Sequence, residues 1–228
     1  ALAFAVTEEA MEDNLYDTFS KLRARGLARA MANTKQVKGA DVFNNGFSAA
    51  PAYVGGDGVA FFSASHPTVS AGVQSNLAAA ADLSEAALET IITNIQKIKD
   101  DRNILIGSSA VSLHIPPDLW STADQILHSP GTTVAGGTGD GTYAQNNINA
   151  IRHMGMIPEG FFVNRRFTDT NNYYIKTDVP NGAKMFVRVP LQTKMEPDFD
   201  TGNLRFKARE RYSFGFSDWR SYFGSQGS

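Results

Sequence analysis

The feature that most constrains this chain is a long helical pattern near its start. Apolar and small residues recur there at helical spacing: Met11, Leu15, Phe19, Leu22, Gly26, Ala30 and Val37. Thr7 precedes the pattern as an N-cap candidate, and Asn44-Asn45-Gly46 ends it. A helix over residues 8–44 would be about 55 Å long at about 1.5 Å per residue. Because a domain of this size has a radius of gyration of about 17 Å, the helix is predicted to span the subunit.

The second strong pattern is a strict alternation near the end of the chain. Leu204, Phe206, Ala208, Glu210, Tyr212, Phe214 and Phe216 fall on one side, and Arg205, Lys207, Arg209, Arg211 and Ser213 on the other. This period of two predicts a strand longer than the usual 5–6 residues. Glu210 is the one carboxylate on the apolar side, so we expect it to pair with an arginine or to lie at an interface.

Weaker patterns predict the elements between these two. Residues 1–6 resemble the end of a strand, and Gly55-Gly56-Asp57-Gly58 suggests the turn of a hairpin between residues 52–54 and 59–62. The stripe Leu88, Ile91, Ile92, Ile95 and Ile98 predicts a second helix capped by Asp82 or Ser84, and a third helix is predicted to start at Pro117. Strands are predicted at 111–115, 160–164, 172–177 and 184–189, and a loop at 129–147.

Composition excludes several classes of protein. The chain has 228 residues, 42% of them hydrophobic, and a formal charge of −2, so it lacks the basic excess typical of nucleic-acid binders. It has no cysteine, which excludes disulfides and thiolate chemistry. No apolar run approaches the roughly 18 residues of a membrane span. If the protein lies against DNA, we expect a non-specific contact.

The sequence contains no complete catalytic or metal-binding motif. The glycine-rich run at residues 136–141 lacks the Lys-Ser/Thr of a phosphate loop, and the four histidines match no zinc spacing. Glu196, Asp198 and Asp200 could bind a cation, but such a trio more often forms a solvated loop or pairs with arginine. The sequence therefore indicates no enzyme, no cofactor and no metal.

The basic side of the last strand is the best candidate for a contact surface, because four cations in a row repel one another unless a partner neutralises them. Its partner would be an adjacent subunit or DNA, and the alternative is a solvated strand face. The candidate interface comprises Arg205, Lys207, Arg209 and Arg211, the acidic residues Glu196, Asp198 and Asp200, and Arg23 and Arg25 of the predicted helix.

Several segments resemble one protein family in order along the chain. They include Leu27-Ala-Arg-Ala-Met-Ala-Asn-Thr-Lys35, Val42-Phe-Asn-Asn-Gly-Phe47, Phe62-Ser-Ala-Ser-His-Pro67, Leu113-His-Ile-Pro-Pro-Asp-Leu119, Met156-Ile-Pro-Glu-Gly160, Asp198-Phe-Asp-Thr-Gly-Asn-Leu-Arg205 and Ala208-Arg-Glu-Arg-Tyr-Ser-Phe-Gly215. Together they resemble the major head subunit of Mu-like tailed bacteriophages.

The resemblance implies an α+β fold, the tailed-phage capsid fold of the Hong Kong ninety-seven type. It implies a β-rich peripheral domain at 1–82 and 190–228, which contains the spine helix 8–44, and an axial domain at 83–189. The family's N-terminal arm and most of its extended loop are expected to be missing from this chain, by cleavage or by truncation.

The same resemblance implies a function in shell assembly. The subunit would form hexamers and pentamers of an icosahedral head around double-stranded DNA, assembled in the bacterial cytoplasm, with scaffolding, portal and decoration proteins as further partners. Two alternatives stay open at this point. One is an encapsulin-like compartment shell that packages protein, and the other is a hydrolase whose site residues are not contiguous in sequence.

Overall fold

A computed structural model describes residues 1–13, 16–131 and 148–228, with the backbone alone for 16–19. In chain order the helices and strands are β1 (Leu2–Val6), α1 (Glu8–Glu12), α2 (Tyr16–Asn44), β2 (His66–Pro67), β3 (Val73–Gln74), α3 (Glu85–Gln96), β4 (Ala110–Ile115), α4 (Trp120–His128), α5 (Ala150–His153), β5 (Phe161–Val163), β6 (Tyr173–Thr177), β7 (Ala183–Pro197), β8 (Leu204–Phe216) and β9 (Tyr222–Ser225). Short 3₁₀ turns at Pro117–Leu119 and Trp219–Ser221 precede α4 and β9.

The chain forms two compact units. The first comprises Ala1–Gly39 and Lys184–Gly215, and the second comprises Ala40–Ala183 and Phe216–Ser228. These boundaries differ from the peripheral and axial domains that the family resemblance implies, since residues 40–82 group with the second unit. The reason is packing, because Phe61 and Phe62 belong to the same core cluster as α3, β4 and β6. The peripheral and axial assignment stays a prediction.

The first unit is a three-stranded sheet with helix α2. The strand order is β1-β8-β7, and β1 runs antiparallel to β8. Phe4 lies opposite Phe206, and their rings stack with centroids 4.8 Å apart. Such a cross-strand aromatic pair stabilises the register of the two strands.

The predicted first helix is interrupted in the structure. Helix α1 ends at Glu12 and is followed by its C-cap Asp13, whose N–H donates to the Glu9 carbonyl oxygen at 3.0 Å, and α2 covers Tyr16–Asn44. Asp side chains compete for backbone N–H groups and disfavour helix interiors, which accounts for a helix end just before Asp13. Residues 14 and 15, through which the predicted continuity would run, lie outside the described residues. The predicted end at Asn44 is confirmed.

The second unit has a four-stranded sheet in the order β5-β4-β6-β9, with β4 parallel to β5 and antiparallel to β6. Helix α3 packs its predicted stripe into the core, where Leu88 and Ile95 are fully buried. Ser84 caps this helix, because its Oγ accepts from the Ala87 N–H at 3.3 Å. The choice left open between Asp82 and Ser84 is thereby decided.

The predicted hairpin at residues 52–62 is reduced to one antiparallel bridge between Val54 and Ala60. The reason lies in the next two residues, because Phe61 and Phe62 are both buried. Successive strand residues point to opposite faces, so two adjacent buried rings are incompatible with a half-exposed strand.

Two other predictions have different outcomes. The strand predicted at 184–189 is longer than expected, since β7 covers Ala183–Pro197. The predicted loop at 129–147 falls almost wholly on residues 132–147, outside the described ranges.

Candidate interaction surface

The basic face of β8 has the form that the sequence predicts. Arg205, Lys207, Arg209 and Arg211 are all exposed, while the intervening residues are buried or half-buried. Ala208, at the middle of the covered side, is 3% exposed. The alternation therefore orients the four cations to one side of the sheet.

The opposite face of β8 lies against α2. Lys35 Nζ is 2.6 Å from Glu210 Oε2, and the same ammonium lies 5.4 Å from the centroid of the Tyr212 ring. Farther along, a Cβ on Gly39 would be 3.4 Å from the ring of Phe214. Because α2 covers this face, the cations of the other face point away from the helix.

The partner of Glu210 corrects one prediction. The sequence predicts an arginine or an interface, and the structure provides Lys35 of the same chain. The Glu210 side chain is only 8% exposed, so its charge needs a neutralising neighbour. The helical pattern places several cations on α2, but nothing local indicates which of them faces β8.

The turn between β7 and β8 neutralises one of the four cations. Arg205 is hydrogen-bonded to Oδ2 of Asp198, and the Thr201 hydroxyl donates to the same oxygen at 2.6 Å. The backbone closes the turn with the Asp198 N–H donating to the Asn203 carbonyl oxygen at 2.8 Å. Gly202 has a φ of +67°, a conformation that favours glycine. Arg205 is thus paired within its own hairpin.

The acidic trio does not converge on one point. Asp198 binds Arg205, Glu196 lies 3.5 Å from Lys194 on exposed β7, and Asp200 is exposed in the turn. In the described ranges, no group of three or more His, Asp or Glu side chains could hold a metal ion. The geometry of the trio is that of surface ion pairs.

The remaining predicted cations differ in placement. Arg23 and Arg25 are exposed on α2, a different element from the β8 stripe. Over the part of the chain that the structure describes, none of Arg23, Arg25, Arg209 and Arg211 forms an ion pair within the chain. The same is true of Lys207, so Lys207, Arg209 and Arg211 on the exposed face of β8 are the strongest candidates for a contact with another molecule.

A surface that the sequence reasoning missed is the apolar side of β7. Met185, Val187, Leu191 and Met195 alternate along the strand and are 40–56% exposed. Phe199, at the tip of the following turn, is fully exposed. The same period of two that identified β8 was available here, but the strand was predicted to end at residue 189. Exposed apolar residues grouped in this way are typical of contact surfaces.

The fold and these surfaces define a protein with exposed charged and apolar strand faces, which suits contact with other macromolecules. No helix among the described residues is long and apolar enough to cross a membrane.

The sequence profile of the phage capsid protein family matches residues 1–223. The chain therefore belongs to the phage capsid protein family. The predicted function of a structural capsid protein is confirmed at this level, while the narrower resemblance to Mu-like phages stays a prediction. No curated protein matches the sequence.

Solved structures share the fold at low sequence identity. The capsid of the myovirus phage XM1 is 12% identical with a TM-score of 0.53, and the match covers 100% of this chain and 72% of that chain. A phage-related protein from Bordetella bronchiseptica RB50 is 10% identical with a TM-score of 0.52, covering 99% and 72%. The capsid of an empty GTA particle is 13% identical with a TM-score of 0.51, covering 100% and 72%. The predicted capsid fold is thus confirmed.

Proposed function

We propose that this chain is the major shell-forming subunit of a tailed-phage head, in which copies assemble into hexamers and pentamers around double-stranded DNA. The family match over residues 1–223 is the observation that carries the proposal. The assembled capsids among the structures of similar fold support it. The subunit acts by forming contacts and does not catalyse a reaction. It assembles in the bacterial cytoplasm, with scaffolding, portal and decoration proteins as further partners.

The basic face of β8 is the proposed contact surface toward an adjacent subunit. Lys207, Arg209 and Arg211 form no ion pair among the described residues, and the sheet holds them on one exposed side. A regular strand holds such charges at defined spacing, so a contact made there loses less side-chain and backbone entropy than one made by a loop. The near-neutral charge of the whole chain favours an acidic surface of a second copy over the DNA backbone.

The test is to purify the full gene product and examine it by negative-stain electron microscopy together with its nucleic-acid content. The proposal expects closed shells when the chain is produced alone or with its scaffolding partner. It also expects nuclease-resistant double-stranded DNA in shells isolated from virions. Shells that contain protein cargo and no DNA would instead identify an encapsulin-like compartment. A stable monomer with turnover on a hydrolase substrate panel would contradict the shell function altogether.

A further inference from the structure

A completely buried histidine in the second unit has a polar partner at each of its ring nitrogens. His66, in β2, is 0% exposed. Its Nδ1 lies 2.6 Å from Oδ2 of Asp57, and its Nε2 lies 3.0 Å from Oδ1 of Asn76. A neutral imidazole donates from one nitrogen and accepts at the other, whereas an imidazolium donates from both. The chemistry of the two partner atoms therefore decides the protonation state of the ring.

The first partner is an acceptor. The side chain of Asp57 is 19% exposed, and its second oxygen accepts from the Val59 N–H at 3.3 Å. An ionised carboxylate has no hydrogen to donate, so Nδ1 of His66 must carry the proton of this hydrogen bond.

The second partner is an acceptor because the amide of Asn76 can be oriented in one way only. Its Nδ2 lies 2.8 Å from the carbonyl oxygen of Phe61 and 3.0 Å from those of Trp219 and Tyr222. Its Oδ1 accepts from the Ser63 N–H at 2.9 Å. Reversing the amide would place an NH₂ against an N–H donor and an oxygen against three carbonyl oxygens. Nε2 of His66 therefore faces an oxygen and must also donate.

We infer that His66 is a doubly protonated imidazolium in the folded chain, and that its charge pair with Asp57 makes this part of the fold sensitive to pH. The ring lies flat on the indole of Trp219, with centroids 4.2 Å apart and an interplanar angle of 3°. A cation over an indole face is a favourable arrangement.

A second cation, Arg220, lies on the same indole ring. The guanidinium carbon of Arg220 is 4.5 Å from the centroid of the Trp219 ring. Arg220 has carboxylate partners of its own, Asp101 and Asp218. Three carboxylates therefore surround two cations, so the charge on His66 is compensated locally.

The consequence is a dependence of stability on pH with a definite sign. His66 is hydrogen-bonded to the Asn76 side chain, and the amide of Asn76 donates to the backbone carbonyl oxygens of Trp219 and Tyr222. The histidine therefore helps to hold the segment 57–76 against these two residues. Loss of the Nε2 proton would place a lone pair against Oδ1 in a site that water does not reach. A neutral ring cannot donate to both oxygens, so in the folded chain deprotonation is coupled to loss of the hydrogen bond between Nε2 and Asn76 Oδ1. The free energy of unfolding therefore contains a contribution that is present at low pH and lost as pH rises.

The experiment is a long-range ¹H–¹⁵N spectrum of the unassembled subunit with ¹⁵N-labelled histidine, recorded from about pH 6 to about pH 8. The variants His114→Gln, His128→Gln and His153→Gln assign the signals by elimination. Both nitrogens of His66 are expected to show protonated imidazolium shifts throughout. His128 is the matched control, because its Nδ1 also lies close to a carboxylate, 2.7 Å from Asp124 Oδ1, but on an exposed helix surface with no acceptor at its other ring nitrogen among the described residues. One unprotonated nitrogen on His66 at about pH 7 would overturn the inference.

A second measurement uses urea unfolding over the same pH range. Wild type is expected to lose more stability with rising pH than Asp57→Asn, which lacks the carboxylate, while Asp124→Asn should follow wild type. Parallel curves for wild type and Asp57→Asn would refute the coupling. If Asp57→Asn does not fold, the wild-type spectrum alone decides the protonation state.

Discussion

The protonation of one histidine in the second unit, His114 on β4, is determined by its burial. Burial, and secondarily the charge of Lys176, lowers the pKa of His114 from the ordinary 6.5 to about 4. Its Nε2 lies 3.1 Å from Ser112 Oγ, and its ring stacks on Phe162 with centroids 5.5 Å apart. His114 is thus held neutral at physiological pH, the opposite of the state inferred for His66.

The depressed pKa of His114 predicts acid sensitivity. The unfolded chain binds a proton at His114 below about pH 6.5, and the folded chain binds it only near pH 4. The free energy of unfolding should therefore fall as pH decreases from about 6.5 to about 4, by at most about 3 kcal/mol. Urea unfolding of wild type and His114→Gln at several pH values measures this contribution, since the variant lacks it. An equal acid loss in both proteins would contradict the prediction.

Residue partners were the least predictable feature of the candidate site. The sequence indicated that Glu210 needs a cation, but its partner Lys35 belongs to an element far away in the chain. Asp198 and Arg205 are close in sequence, and their pairing still depends on the tight turn around Gly202. Local patterns show which charges need partners, and only the fold brings the partners together.

At the scale of elements, α2 contains a glycine at a position where the structure leaves room for a side chain. Gly26 lies in the interior of the helix, and no atom would lie within 4 Å of an added Cβ. Gly26→Ala should therefore stabilise the chain by about 1 kcal/mol, because alanine loses less backbone entropy in a helix. Gly26→Pro should destabilise it by about 3 kcal/mol or more.

The control for this prediction is Gly39→Ala in the same helix. A Cβ there would be 3.4 Å from the Phe214 ring, so crowding should offset part of the gain. Denaturant unfolding followed by circular dichroism compares the three variants. An unchanged midpoint for Gly26→Pro would show that α2 contributes nothing to stability at that point.

The elements that sequence predicted well are those with long, regular patterns. Strand β8 and the first four residues of the α3 stripe match their predicted positions, because each pattern covers several repeats. The last residue of the stripe, Ile98, lies beyond the end of α3 at Gln96. The predicted hairpin at residues 52–62 was wrong, since only the bridge between Val54 and Ala60 forms. Strand β9 was not predicted. Strand β9 contains glycine and serine, which have low strand propensity, and pairs with β6 only in the folded sheet.

At the scale of the whole molecule, the proposed contact surface predicts a separation between folding and assembly. The double variant Arg209→Glu with Arg211→Glu should change the free energy of unfolding by no more than about 0.5 kcal/mol, since both side chains are exposed and unpaired among the described residues. Its particle yield by electron microscopy should fall strongly. Wild-type assembly should also weaken with added salt, because salt screens exposed charges.

The matched control is Arg165→Glu with Arg166→Glu, an exposed pair in the second unit that gives the same change in charge. It should assemble as wild type does. Normal particles from the β8 variant would refute the contact surface. Equal loss of particles in both variants would attribute the defect to net charge.

The sequence by itself determined the end of α2 at Asn44, the buried side of α3 and the two faces of β8, because periodicity along the chain records which side of an element is covered. The class of fold followed from the resemblance of its segments to a known family. The tertiary structure decided which residues meet: Lys35 with Glu210, two adjacent phenylalanines in one core, and His66 between Asp57 and Asn76. These contacts join residues from different elements, and a pattern that repeats over a few neighbours contains no information about them. The long N-terminal helical pattern predicted a helix, and the fold decided that the helix covers one face of β8 and leaves the basic face exposed.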